Sequence, residues 1–220
     1  MDKTVLYGFG DSLVAGHCLG IGMLDALAEK YGLDYRRFAQ NGAAVIPANS
    51  VDVPDIAAQV EMAPAVLPDL ICFDGLTNDA YPLVMEHLGQ LSPSYCGSYD
   101  CGTFYGAFEQ ICCLLRTKYT DSAIFYICAH KMPTRDMIVQ RALQKAAKDV
   151  CEKWSIPYLD VFRQGQINTC IDAMRQAYSY DTMENLTGGN GTHLNAVGYR
   201  RWYLPMLEQI CKPYLQTRGE

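Results

Sequence analysis

Tyr7-Gly8-Phe9-Gly10-Asp11-Ser12-Leu13 follows Val5 and Leu6 and precedes an amphipathic segment over residues 13–31. An apolar run breaks at glycine, presents an acid and a serine, and then takes up a helical period. That order predicts a buried strand, a sharp turn and a serine at the mouth of a helix. A serine so placed has backbone N–H groups beside it and the positive end of a helix dipole behind it. The position suits an attacking hydroxyl and the oxyanion it generates. Taken alone, the segment also admits a plain structural reading, with Asp11 or Ser12 acting only as an N-cap.

Outward from this stretch, apolar runs alternate with amphipathic segments. Residues 33–38 read as a short second strand ending in the turn-like Gln40-Asn41-Gly42, and 55–63 as a short helix bounded by Pro54 and Pro64. Residues 69–73 and 123–128 are nearly all apolar, as strands buried on both faces should be. Residues 80–102 mix prolines and glycines with polar residues and show no clear period, the mark of a loop or lid with short helical pieces. Phe104, Phe108, Ile111, Leu115 and Tyr119 then recur at helical spacing, as do Ile138, Ala142, Leu143, Ala146, Val150 and Trp154 ahead of a fifth strand over 157–161. Helices are expected over 167–178 and from Asn195 onward, the last kinked by Pro205. Strands alternating with helices imply parallel βαβ crossovers. With no internal repeat, low-complexity tract or linker, the expectation is one three-layer α/β domain over residues 1–220.

Composition narrows the function classes. A chain of 220 residues, half of them hydrophobic, can bury a sizeable core. A net charge of −6, a pI near 5.2 and the lack of a Lys/Arg cluster argue against a nucleic-acid surface. Met1-Asp2-Lys3-Thr4 leads straight into the first strand without a signal-peptide pattern, and no apolar run reaches the roughly 18 residues needed to span a bilayer. A cytoplasmic protein with no membrane partner is expected. The ten cysteines are scattered through periodic segments and read as small reduced core residues. Cys96 and Cys101, in a loop rich in Ser, Tyr and Gly, are the one pair placed to bridge. His17, His87, His130 and His193 show no metal-ligand spacing, and neither CxxC nor HExxH occurs, so neither metal nor cofactor is expected.

Ligands of parallel sheets sit beyond the carboxyl ends of the strands. After the predicted strands stand Gly10-Asp11-Ser12, then Asn41-Gly42-Ala43, then Asp74-Gly75-Leu76-Thr77-Asn78-Asp79, then Ala129-His130-Lys131. The glycine-rich turn Gly188-Gly189-Asn190-Gly191-Thr192-His193-Leu194-Asn195 adds an imidazole. A serine, a histidine, an asparagine amide and a glycine N–H converging on one crevice are the parts of acyl transfer. Four of these blocks resemble the SGNH, or GDSL, serine hydrolases: Gly10-Asp11-Ser12-Leu13, Asn41-Gly42-Ala43, Gly75-Leu76-Thr77-Asn78-Asp79, and the run from Asn190 to Asn195. They occur in family order over essentially the whole chain. Four specified residues arise by chance in about one chain of this length in 200, at roughly 7 % per residue type.

The resemblance implies an α/β/α sandwich with a flavodoxin-like parallel five-stranded sheet. It implies that Ser12 attacks an ester carbonyl, that His193 accepts and returns the proton, and that the N–H groups of Ser12 and Gly42 with the Asn78 amide hold the oxyanion. Two departures stand out. The family places a glycine where this chain has Leu76, which would narrow the pocket floor or shift the Asn78 loop. The family's triad acid is three residues before the histidine, where this chain has Asn190. An asparagine can orient an imidazole, but it lends no charge to the imidazolium. Asp181 or Glu184 from the preceding loop, or a backbone carbonyl, are the other candidates for that role, and Asn190→Asp is expected to raise turnover. His130, with Lys131, and Asp79 are candidates for the substrate side. Tyr81, Tyr95, Tyr99 and Tyr105 could stack on sugar rings or serve as core edges. A short-acyl ester, such as an acetylated carbohydrate, is preferred over a lysophospholipid or a thioester. A catalytically weakened relative that binds an acylated ligand, and a binding domain without hydrolysis, are the competing classes.

Overall fold

The computed structural model describes residues 3–47 and 53–215. Its five strands are β1 (Val5–Phe9), β2 (Asp34–Arg37), β3 (Leu70–Phe73), β4 (Ala123–Cys128) and β5 (Tyr158–Asp160). All are parallel, in the order β2-β1-β3-β4-β5. The chain leaves β1 for one side and returns to lay β3 on the other. The topological switch point therefore falls between β1 and β3, directly below the turn that carries Ser12.

Strand periodicity sorts the core into two layers. Tyr7, Phe9, Ile71, Phe73, Ile124, Tyr126 and Cys128 pack on the face covered by α3 (Ile56–Met62), α4 (Phe104–Lys118) and α5 (Met137–Lys153). Leu6, Leu70, Cys72, Phe125 and Ile127 pack on the other face, with Leu13, Leu24, Leu27, Leu207 and Cys211. That face is covered by α1 (Ser12–Ala15), α2 (Asp25–Tyr31) and α9 (Leu204–Leu215). The fold class read from the sequence is the one observed. Among the described residues, no helix is long and apolar enough to cross a membrane. Five of the ten cysteines are buried, and all ten are free thiols, Cys96 and Cys101 included.

Local differences have local causes. Residues 13–31 do not form one helix, because α1 ends after Ala15 as Gly16 and His17 enter the left-handed region, and the chain re-enters a helix only at Asp25. Of residues 167–178, only α7 (Asp172–Tyr178) is helical, after the short α6 (Val161–Gln164). Asn195 caps the three-residue α8 (Ala196–Gly198), and a π turn over Tyr199–Tyr203 separates it from α9. The irregularity expected at Pro205 thus falls in the turn before it. Residues 179–180 and 193–194 pair as a two-stranded antiparallel ribbon, β6 (Ser179–Tyr180) and β7 (His193–Leu194).

Within residues 80–102, a 3₁₀ turn spans Pro82–His87, and the part after it is tied to the α4/α5 face. Lys153 forms a buried ion pair with Glu109 and donates to the carbonyls of Ser92 (2.8 Å) and Ser94 (2.5 Å). Ser92 N–H donates to the other Glu109 oxygen (2.8 Å). Tyr95 and Tyr99 pack edge-on against Trp154, and Tyr105 donates to Asp149. These three rings are structural.

Candidate active site

The turn after β1 is clamped before it delivers its serine. The buried Gln59 amide brackets Gly10, accepting from its N–H and donating to its carbonyl, each at 2.9 Å. Gln40 N–H donates to the same carbonyl (3.1 Å), which pins the Asn41-Gly42-Ala43 turn beside it. Asp11 N–H donates to Asp74 Oδ1 at the end of β3 (3.0 Å), and Asp11 Oδ1 caps α1 through Leu13 N–H (2.8 Å). Burial pushes both carboxyls up, and Asp74 further because Asp11 lies against it. Asp11 is thus an N-cap, while Ser12 is free for another role. As first residue of α1, Ser12 has a backbone N–H with no intrahelical acceptor.

Ser12 Oγ lies 2.8 Å from His193 Nε2, across nearly the whole chain. His193 sits on β7, opposite Tyr180 of β6. Its loop is held from behind by His130, which is 1 % exposed. Tyr203 hydroxyl lies 2.8 Å from His130 Nδ1 and accepts from His130 N–H (3.1 Å), while His130 Nε2 lies 3.1 Å from the Gly191 carbonyl. Burial pushes the His130 pKa down to about 4, so the ring is neutral and both nitrogens are occupied. His130 is a brace for the histidine loop, which corrects its assignment to the substrate. Lys131 points elsewhere, over the Phe162 ring.

Two other expected substrate contacts are also corrected. Asp79 is buried and accepts from Val45 and Ile46 N–H, both at 2.9 Å; its pKa is raised to about 6 by burial. Leu76 lies in the core at 4 % exposure and does not line a crevice. Asn78 between them is half-buried, and its Nδ2 donates to the Ala43 carbonyl (2.8 Å), joining its loop to that of Gly42. One Asn78 amide hydrogen is used there, and the other has no partner among the described residues. Gly42 is exposed with φ of 84°, where a Cβ-bearing residue would be strained.

Asn190 does not support the imidazole. It is exposed, its Oδ1 accepts from Thr192 N–H (2.9 Å), and its own N–H donates to Asp181 Oδ1 (2.9 Å). The spacing to His193 is right, but the side chain closes its own turn. His193 Nδ1 is buried and has no hydrogen-bond partner among the described residues. What lies against the ring instead is His17, stacked face to face at 3.9 Å between centroids and 3° between planes. The Tyr180 ring lies 6.1 Å from His193. Arg135 stands at the same rim, donating through Nε to the Thr77 carbonyl (2.7 Å) with its guanidinium 4.6 Å above the Tyr81 ring. Burial pushes the His193 pKa down to about 3, and its neighbours His17, His130 and Arg135 act in the same direction.

Comparison with known proteins places the fold. No protein-family model matches the sequence, and no curated protein matches it either. Solved structures do match along almost the full length. A protein of Lactobacillus plantarum shares 20 % identity over 97 % of this chain and 98 % of its own, with a TM-score of 0.75. A lipase/acylhydrolase from Enterococcus faecalis shares 14 % over 95 % and 96 %, at 0.63. A member of the lipolytic G-D-S-L family from Veillonella parvula shares 13 % over 94 % and 98 %, at 0.60. The α/β/α fold of those proteins is the fold of this chain.

Proposed function

We propose that this chain, as one domain over residues 1–220, is a serine ester hydrolase of the SGNH type. The observation that carries the reading is the 2.8 Å approach of Ser12 Oγ to His193 Nε2 at the carboxyl edge of the sheet, over its switch point. Ser12 Oγ bonds to the ester carbonyl carbon while its proton passes to Nε2. The tetrahedral oxyanion is held by the N–H groups of Ser12 and Gly42 and the free Asn78 amide hydrogen. Collapse breaks the C–O bond, and the alkoxide leaves with the proton from Nε2. Water then adds to the acyl-enzyme through the same base, giving the carboxylic acid and restoring Ser12.

A fluorophosphonate probe tests this reading: the wild type is expected to label at Ser12, and a folded wild type that does not label would overturn it. Asn78→Ala should lower kcat about 10²-fold with little change in KM, measured with p-nitrophenyl acetate, since the amide serves mainly the oxyanion.

The pH profile follows from the buried base. Only neutral His193 can accept the Ser12 proton, and the ring takes up a proton of its own only near pH 3 rather than near the ordinary 6.5. The side chains acting on it in the same direction are His17, His130 and Arg135, and Tyr180 faces it from β6. Activity should therefore persist where an exposed His base would fail: kcat/KM is expected to change less than about threefold between pH 7.5 and pH 5. A fall centred near pH 6.5 would contradict this.

An acetylated carbohydrate remains the preferred substrate class. A longer acyl chain is the second reading, favoured by the exposed Leu83 and Met85 after the Asn78 loop and Met183 and Leu186 after Asp181. A p-nitrophenyl ester series with acetylated sugars alongside separates the two, since a rise in kcat/KM toward octanoate selects the second.

A further inference from the structure

The Ser12–His193 pair lacks the acid that normally completes it, and the structure puts something else in that place. For Nε2 to accept from Ser12, the proton of neutral His193 must sit on Nδ1, which is buried without an acceptor among the described residues. Asn190 Oδ1 is occupied by Thr192 N–H, and Asp181 Oδ1 by Asn190 N–H. The parallel His17 ring covers the imidazole face instead. Its placement is specific. His17 has φ of 44°, in the left-handed region that few non-glycine residues occupy. Its N–H donates to the Ser12 carbonyl (3.1 Å), so the ring is carried by the same turn as the serine. Its Nε2 lies 3.3 Å from the Asp181 carbonyl, which fixes the ring from the β6 side.

We propose that the face of the His17 ring takes the place of the triad acid in orienting the base, holding the His193 imidazole in the position from which Nε2 accepts the Ser12 proton. This rests on the acyl-transfer reading above. A ring packed parallel at 3.9 Å fixes the plane of its neighbour without a hydrogen bond to it, which is what a buried Nδ1 lacking an acceptor leaves to be done. His17 is a positioning residue; it takes no proton from the substrate. The other groups around the pair are Tyr180, His130, Arg135, the Cys18 thiol on the Asp181 carbonyl, and the Asp181 carboxylate.

Two variants divide the ring face from the hydrogen bond. His17→Phe keeps a flat face and loses the contact to Asp181, whereas His17→Gln keeps a donor for that carbonyl and loses the face. Assayed at pH 8 with p-nitrophenyl acetate, His17→Phe should keep kcat within about threefold of wild type, and His17→Gln should lose about tenfold in kcat with KM nearly unchanged. Melting curves confirm that both are folded; if His17→Gln is not, His17→Leu, apolar and lacking the ring, takes its place and should show the same loss. Phe losing as much as the faceless variant, Phe losing more, or neither losing activity would overturn the proposal while leaving the Ser12–His193 reading intact. A wild type that neither hydrolyses the ester nor labels with fluorophosphonate overturns both.

Discussion

Ser12→Ala and His193→Ala should each lower kcat for a p-nitrophenyl ester by about 10⁴-fold or more, with the double variant no slower than the slower single one. The reason is that the two side chains form one device. At 2.8 Å the hydroxyl would be nucleophilic only because the ring can take its proton, and every later proton transfer on the proposed path runs through the same ring and the same serine. On the proposed mechanism, removing either would leave only the binding and oxyanion donors assigned to the Gly42 and Asn78 loops. Two losses that multiplied would mean that His193 and Ser12 act in separate steps. A Ser12→Ala protein keeping about a tenth of wild-type turnover would place the nucleophile elsewhere. Both variants should melt near wild type, because neither removes core packing.

Gly10→Ala should be the most damaging single-methyl change in the β1 turn. Gly10 has φ of 137°, and a Cβ there would overlap Asp74 Oδ1 and stand 2.9 Å from Asp74 Cγ. Asp74 cannot swing aside freely, since Oδ1 is the acceptor for Asp11 N–H in a fully buried site. Backbone strain of about 1–3 kcal/mol and an orphaned buried N–H of about 1–3 kcal/mol together cost roughly 2–6 kcal/mol. At about 2–4 °C per kcal/mol for a protein of this size, Tm should fall by roughly 4–24 °C. A fall under about 3 °C would show that the turn relaxes, and that the clamp of Gln59 and Asp74 on it is loose.

The parts legible in the sequence were those with strong local signals. β3 and β4 are covered on both faces, so Leu70–Phe73 and Ala123–Cys128 are continuous apolar runs. The Ser12, Gly42, Asn78 and His193 blocks follow strands or a glycine-rich turn. The errors arose where neighbours in sequence point opposite ways. Asn78 is half-buried and bonded to the Ala43 carbonyl, while Leu76 and Asp79 in the same loop turn inward to the core and to the Val45 and Ile46 amides. Asn190 sits at the right spacing from His193, but its side chain is consumed by its own turn. The place of His17 was not legible, because a ring stack between two ends of the chain has no local pattern. Its one hint is a histidine after Gly16 where an amphipathic helix should continue. The two-residue β6 and β7 are too short to show any period.

The fastening of Ser92, Ser94, Tyr95 and Tyr99 to Lys153, Glu109 and Trp154 bears on what an acyl-enzyme at Ser12 would meet. The longest irregular stretch after the Asn78 loop is spent on the flank where α5 turns back into β5, and it is unavailable as a roof. Any cover over an acyl group on Ser12 would therefore have to be built from other segments of the chain.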